Sequence, residues 1–222
     1  MNLVFDPDWI KPLSNGFLMS LEITGIALII GFFLGILLAI GRVYGNPFFR
    51  AVSTVYLTFF RGTPMLIQIF LLYYGLPSIG FKISAFMAGI LGLGLNSAAY
   101  QAEYFRGSIL AVKKNELLAS RSLGMTKLQG IYYVVLPQTL RMAIPSWTNQ
   151  LINLLKFSSL VYMIRVQELM YEAKIIAGLT YRNLEIFGIV ALMYLVTILI
   201  LSYIMGVIER NTRIPGLGGK GA

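Results

Sequence analysis

The sequence predicts an all-α membrane protein with five transmembrane helices, and three observations support this class. Hydrophobic residues make up 57% of the 222-residue chain and charged residues only 12%, a balance too apolar for a water-soluble domain. Apolar stretches long enough to cross ~30 Å of hydrocarbon recur along the chain. Basic residues collect at alternate ends of these stretches, as they do beside membrane spans.

The predicted spans belong to one transmembrane domain, residues 17–209, because the chain leaves no room for a soluble domain beside it. An N-terminal segment, 1–16, precedes the domain and a tail, 210–222, follows it. A polar loop at 113–133 and an amphipathic helix with a loop at 162–184 interrupt the apolar pattern. The five spans are 17–41, 51–76, 84–112, 134–161 and 184–208.

The first two spans each contain a local feature that predicts how they pack. Gly31 and Gly35 form a G-x-x-x-G pair that lets another helix approach closely, and packing within this subunit is favoured over a dimer seam. Arg61-Gly62-Thr63-Pro64 interrupts the second span. Irregular backbone at membrane depth needs protein or a water-filled cavity around it. We therefore expect a broken helix with Arg61 held by carbonyls or a carboxylate; a simple kink is the alternative.

Polar residues also follow helical spacing in the third and fourth spans. Asn96, Tyr100 and Glu103 share one face of the third span, and Glu103 can pair with Arg106 three residues on. The fourth span has a polar stripe, which within a membrane indicates a functional site. Interhelical hydrogen bonding, at ~0.6 kcal/mol per pair, is the structural alternative. The stripe consists of Ser146, Asn149, Gln150, Asn153 and Lys156.

Charge predicts the orientation of the chain. With five spans the termini lie on opposite sides, and the side that includes the 113–133 loop holds nine of the 18 Lys and Arg residues. By the positive-inside rule this side is cytoplasmic, so the N-terminus is outside and the C-terminus inside. The nine residues are Arg42, Arg50, Lys113, Lys114, Arg121, Lys127, Arg210, Arg213 and Lys220.

The stretch from Asn115 to Pro137 is too polar to cross a bilayer and too apolar on one side to be an ordinary soluble segment. Asn115 is a suitable N-cap for a first short helix, and Gly124 can end that helix in the left-handed conformation. A second short helix then leads to a break at Leu136-Pro137. A cytoplasmic loop on the membrane surface, without a partner, is the alternative interpretation.

Four stretches of the chain resemble the permease subunits of polar-amino-acid ABC importers, the histidine and glutamine permease family. They are FRGTPMLIQIFLLYYGLP, LNSAAY, LLKFSSLV and the loop ASRSLGM followed by VLP, within residues 15–210. The family's loop signature is EAA, three residues, G, nine residues and I-x-LP. Ala119, Gly124, Val134 and Leu136-Pro137 fall in register with it, whereas Leu118 stands where the family usually has Glu.

The resemblance implies a type I ABC importer permease fold in the cytoplasmic (inner) membrane, with the loop as a coupling helix in a groove of an ATPase. It also implies a second permease subunit, identical or paralogous, and an extracytoplasmic solute-binding protein. ATP and Mg²⁺ would be bound by the ATPase, with no cofactor in this chain. The residues expected to couple to the ATPase are Glu116, Leu117, Leu118, Ala119, Arg121, Leu123, Gly124, Met125 and Lys127.

An amino-acid substrate needs a partner for each of its two charges in a low-dielectric path. We expect Lys156 to bind the carboxylate, and the amide oxygens of Asn96 or Asn153 to accept from the ammonium. Many relatives have Asp or Glu where this chain has Phe157, which favours an uncharged or bulky substrate, although Phe157 can equally serve packing alone. The predicted substrate path comprises Arg61, Asn96, Glu103, Ser146, Asn149, Gln150, Asn153, Lys156 and Phe157.

Two other classes of protein compete with a permease subunit. A membrane enzyme is disfavoured because the chain has no histidine, no cysteine and no P-loop sequence. An ion-coupled secondary transporter or channel subunit is the stronger alternative, but no inverted repeat is visible. The sequence therefore predicts a transport subunit without enzymatic activity, which forms the path as a dimer.

Overall fold

The structure is a computed structural model that describes residues 7–112 and 114–212, with side chains at 9–112 and 116–212. Nine α-helices and no strands are found in these ranges. Two π-helical turns, Leu71–Gly75 and Ile131–Val135, and two 3₁₀ turns, Leu76–Ile79 and Ser159–Ile164, connect some of them. The α-helices are α1 (Pro7–Tyr44), α2 (Pro47–Gly62), α3 (Met65–Phe70), α4 (Ala85–Ala111), α5 (Lys114–Ser122), α6 (Lys127–Gly130), α7 (Leu136–Ser158), α8 (Leu169–Thr180) and α9 (Asn183–Thr212).

The described helices can be compared with the predicted spans one by one. By length and composition α1 and α9 can each cross a membrane, and the bent pair formed by α2 and residues 65–79 would be a third. α4 and α7 coincide with the predicted third and fourth spans. α1 is continuous from Pro7, so the predicted boundary at residue 16 does not coincide with a helix end; residues 1–6 lie outside the described ranges.

The core of the bundle is the parallel pair α1 and α4, which approach closely at glycines. A Cβ on Gly31 would lie 2.6 Å from Ser97 Oγ, and one on Gly35 would lie 3.1 Å from the backbone nitrogen of Ala102. The predicted packing of this glycine pair within the subunit is therefore confirmed. Buried Gln101 then joins three helices: its Nε2 donates to Leu28 O of α1 at 3.3 Å, and its Oε1 accepts from Trp147 Nε1 of α7 at 2.8 Å.

A buried carboxylate fixes the start of α8 against α1. Glu168 is fully buried, and its oxygens accept from the backbone N–H groups of Met170 and Tyr171, each at 2.9 Å. Ser20 Oγ of α1 donates to the same carboxylate at 3.1 Å. Gly16 permits this approach, since a Cβ there would come within 2.9 Å of the Glu168 carbonyl carbon. Burial raises the pKa of Glu168 to about 7.

We predict that Gly35→Ala destabilises the protein by about 1–3 kcal/mol, because the added methyl group meets the backbone of α4. Gly25→Ala is the matched control on the same helix, where a Cβ meets nothing within 4 Å. Thermal unfolding of the purified protein in detergent measures both variants. Equal unfolding midpoints for the two variants would show that α1 and α4 are not closely packed at Gly35.

We also predict that stability falls as the pH rises from about 4.5 to about 7, through the ionisation of Glu168. The pKa of this group is raised from 4.5 to about 7 in the folded protein, so the folded state retains a proton that the unfolded state loses. Glu168→Gln keeps a neutral hydrogen-bonding group and should reduce this pH dependence, whereas Glu22→Gln, at an exposed position of α1, should not. Unfolding midpoints measured across this pH range test the prediction, and an unchanged pH dependence in Glu168→Gln would contradict it.

Candidate functional site

The predicted break in the second span is present, and it is a sharp bend instead of a mild kink. α2 ends at Gly62, Thr63 and Pro64 have extended backbone, and α3 begins at Met65. The two segments are bent by 106°. Proline causes the break in two ways: it lacks an N–H group, and its ring disfavours helical backbone at the preceding residue.

Two buried amides satisfy the backbone at this break. Gln68 Nε2 of α3 lies 2.9 Å from Phe60 O and 3.0 Å from Thr63 O. Asn96 Nδ2 of α4 donates to the same Phe60 oxygen at 2.9 Å and to Gln68 Oε1 at 3.0 Å. The exposed fractions of Gln68 and Asn96 are only 3% and 4%. The Asn96 amide thus stabilises the broken helix, a role that its sequence spacing did not indicate.

A cluster of charged side chains lies beside the break. Glu103 Oε2 accepts from Arg42 Nη1 of α1 at 2.6 Å, and Glu103 Oε1 accepts from Arg106 Nε at 2.9 Å. Arg61 Nη1 is 3.9 Å from Glu103 Oε2. The predicted Glu103–Arg106 pair is therefore present, and Arg61 faces a carboxylate as expected. Arg42, which the sequence indicated only as a marker of topology, completes the cluster.

The polar stripe of α7 divides into inward and outward positions. Gln150 is buried and donates to Ser97 Oγ of α4 at 3.2 Å, so at this position the structural alternative is correct. Asn149 and Lys156 are exposed, and Ser146 and Asn153 are half-buried. None of these last four donates or accepts a side-chain hydrogen bond within the described part of the chain. Phe157 is also exposed.

The polar segment after α4 forms two short helices joined at Gly124, as predicted. Gly124 has φ +86°, and the N–H groups of Gly124 and Met125 bond Arg121 O at 3.0 Å and Ser120 O at 3.2 Å. This is a Schellman cap, which glycine favours. Thr126 and Gln129 then cap the start of α6 reciprocally. α5 begins at Lys114, and the side chain of Asn115, the predicted N-cap, lies outside the described side chains.

The predicted proline break at Leu136-Pro137 is wrong. The chain stays helical from Lys127 to Ser158, and residues 131–135 form a π-helical turn in which Leu136 N–H bonds Ile131 O. Pro137 follows at the first turn of α7, where its missing N–H group is tolerated. A π turn therefore accommodates the proline without ending the helix.

Residues expected to bind an ATPase differ in how far they are exposed. Leu118, Ala119, Arg121, Leu123 and Gly124 are exposed, whereas Glu116 and Met125 are half-buried. Leu117 does not face outward: it packs with a buried cluster that includes Val112 and Val135. Exposed Lys127 donates from Nζ to Tyr44 O at the end of α1, at 2.9 Å. Leu128, which the sequence interpretation omitted, is 78% exposed.

The fold and these features define a helical membrane component with polar groups buried among an apolar core and exposed leucines on a polar segment at one end. Residues 31–214 match the family described as "Binding-protein-dependent transport system inner membrane component". The chain belongs to this family and is a multi-pass membrane protein.

Several relatives support the resemblance to amino-acid ABC permeases. The chain is 40% identical over 186 residues to the probable amino-acid ABC transporter permease protein PatM of Vibrio harveyi, covering 82% of this chain and 83% of PatM. It is 37% identical over 198 residues to the putative glutamine transport system permease protein GlnP of Rickettsia bellii, covering 89% and 91% of the two chains. The resemblance predicted from the sequence is confirmed.

Solved structures agree with this assignment. A chain from the crystal structure of "an amino acid ABC transporter with histidines" has a TM-score of 0.84 and 35% identity, with 94% of this chain and 100% of that chain covered. An inward-facing MetNI methionine ABC transporter has a TM-score of 0.78 at 20% identity, over 95% and 100% of the two chains. The second match supports the fold alone.

We predict that Gln68→Leu destabilises the protein by about 1–3 kcal/mol, because it leaves Thr63 O unpaired and Phe60 O with fewer partners in the core. The control is Gln138→Leu on α7, since half-buried Gln138 donates only to Val134 O within its own helical segment. Thermal unfolding in detergent compares the two variants. We call the Gln68 and Asn96 amides that bond the backbone at the break the Gln68–Asn96 clamp. A loss of stability for Gln68→Leu no larger than that for Gln138→Leu would contradict this clamp.

Proposed function

We propose that this chain is the transmembrane permease subunit of an ATP-driven amino-acid importer. The observation that carries the proposal is the segment formed by α5 and α6, which exposes three leucines among polar and basic side chains. Leu118, Leu123 and Leu128 expose 63%, 81% and 78% of their surface. Large apolar side chains that are this exposed on a polar segment outside the apolar spans are typical of contacts with a protein partner. In this family the expected partner is the ATPase.

The base of this segment is built to transmit movement. Gly130 of α6 packs against α5 so closely that a Cβ would lie 2.5 Å from Ser120 Oγ. Leu117 packs against the buried cluster that includes Val112 and Val135, and Lys127 Nζ donates a hydrogen bond to Tyr44 O at the end of α1. A segment that is exposed at its tip and tightly held at its base can pass a displacement by the ATPase to α1 and α7.

The substrate path is proposed to form between two copies of the fold, identical or paralogous. α7 carries polar or charged side chains on an exposed face, among them Arg141, Asn149 and Lys156. Exposed charges are costly against lipid, so a second subunit or a water-filled path is the favourable environment for this face. We propose that α1, α2 with α3, α4, α7 and α9 are the five crossings, with the N-terminus outside and α5–α6 in the cytoplasm.

The substrate is proposed to be an amino acid that a solute-binding protein delivers from outside. The similar GlnP is named for glutamine and the similar solved transporter was crystallised with histidines. Exposed Phe157 next to exposed Lys156 favours an uncharged or bulky amino acid in this chain. The chain itself has no proposed enzymatic role; ATP and Mg²⁺ are bound by the partner ATPase.

Reconstituted uptake tests the proposal. The chain is placed in lipid vesicles with a candidate ATPase subunit and a candidate solute-binding protein, and uptake of radiolabelled amino acids is measured with and without ATP. The proposal predicts uptake only when ATP and both partners are present. Uptake driven by an ion gradient, without the ATPase, would instead identify a secondary transporter.

We predict that Leu123→Asp reduces both copurification with the ATPase and ATP-dependent uptake, because it places a charge in the apolar docking surface. The expected loss is about tenfold or more, the effect of losing a well-packed contact at a protein interface. Leu179→Asp is the matched control, since Leu179 is 77% exposed at the opposite end of the bundle, on α8. Equal copurification of the two variants would contradict docking at Leu123.

A further inference from the structure

We propose that Arg61 and Tyr100 form a subsite for the α-carboxylate of the transported amino acid, at the helix break. This inference rests on the proposed function and adds to it the group that binds one end of the substrate. It depends on three features: the unused donors of Arg61, the aromatic ring against its guanidinium, and the excess of positive charge around it.

Arg61 is the guanidinium of the cluster that is not directly hydrogen-bonded. One oxygen of Glu103 accepts from Arg42 at 2.6 Å and the other accepts from Arg106 Nε at 2.9 Å. Arg61 Nη1 remains 3.9 Å away, longer than a hydrogen bond. Arg61 donates no side-chain hydrogen bond to any residue in the described ranges, although a guanidinium has five donors. Its donors are thus available to another anion.

Tyr100 fixes the position of this guanidinium. The Cζ atom of Arg61 is 5.5 Å from the centre of the Tyr100 ring, within the range of a cation–π contact. Such a contact occupies the face of the guanidinium and leaves its edge, where the N–H groups lie, for a planar carboxylate. The side chain is 43% exposed, so a ligand can reach it.

The local charge also favours an anion. Arg42, Arg61 and Arg106 contribute three positive charges, and Glu103 contributes one negative charge, which leaves a net charge of +2. A carboxylate that binds at Arg61 reduces this excess and gains the short bidentate geometry that arginine and carboxylates form. The neighbouring Gln68–Asn96 clamp holds α2 against α4 and therefore holds Arg61 in place.

This subsite lies at a different depth from Lys156, the residue first expected to bind the carboxylate. α7 runs antiparallel to α4, since Gln150 bonds Ser97 and Trp147 bonds Gln101. Lys156 is nine residues beyond Trp147 along α7, and Tyr100 is one residue before Gln101 on α4, in the same direction along this antiparallel pair. At 1.5 Å per residue Lys156 and Tyr100 are therefore roughly 12 Å apart along the helices, which places them at different depths.

Direct binding to the permease–ATPase complex, without the solute-binding protein, tests the subsite. The complex is purified in detergent, and the common protein L-amino acids and their α-amides are used one by one as probes in equilibrium binding. We expect at least one amino acid to bind more tightly than its amide. Arg61→Gln should weaken binding of that amino acid by about tenfold or more and leave its amide unchanged. Arg61→Lys keeps the positive charge but loses the parallel N–H donors of the guanidinium. It should therefore weaken binding less than Arg61→Gln does.

Arg50→Gln is the matched control, because Arg50 is an exposed arginine on the same helix and should leave both affinities unchanged. The subsite would be refuted by equal losses for the amino acid and its amide in Arg61→Gln, which would indicate a structural role. It would also be refuted by unchanged affinities, or by no binding of any amino acid to the wild-type complex. ATP-dependent uptake by the wild type, measured separately, remains the test of the transport function.

Discussion

The structure depends on pairing the backbone groups that Pro64 releases inside the bundle. A carbonyl group without a partner costs several kcal/mol in hydrocarbon, where no water can replace the lost hydrogen bond. Gln68 and Asn96 satisfy that requirement together, since both approach Phe60 O and they also bond each other. A bend of 106° is therefore stable at the level of the middle of α4, where a straight helix would otherwise be expected.

The same clamp places the charged cluster. Holding α2 against α4 brings Arg61 to Tyr100 and to Glu103, while Arg42 reaches Glu103 from the last turn of α1. Tyr44, two residues after Arg42, accepts the hydrogen bond from Lys127 in the exposed segment formed by α5 and α6. One short stretch of α1 is thus bonded both to the cluster and to the segment proposed to bind the ATPase. This arrangement physically connects the segment proposed to bind the ATPase with the charged cluster proposed to lie on the substrate path.

The sequence predicted features that depend on local chemistry. Pro64 after Arg-Gly-Thr indicated the break, Gly124 indicated a left-handed turn, and the spacing of Gly31 and Gly35 indicated close helix packing. Each of these follows from the backbone limits of proline or glycine, which act within a few residues.

The roles of polar side chains within the bundle could not be predicted in the same way. Helical spacing places Asn96 and Gln150 on a face but does not say which helix lies opposite, and both amides proved to bond neighbouring helices. The sequence predicts docking contacts for both Leu117 and Leu118, although only Leu118 is exposed. The proline at 137 suggested a break that does not occur, because it falls in the first turn of α7 after a π turn, where a missing N–H group is tolerated.

Hydrogen–deuterium exchange at the break is the most direct test of the clamp. Asn96→Leu removes one partner of Phe60 O and the neighbour of Gln68, while it keeps a side chain of similar volume. The account predicts faster amide exchange in a peptide that covers residues 59–70, with little change in peptides from α9. Exchange at 59–70 as slow as in the wild-type protein would contradict the claim that these amides hold the broken helix in place.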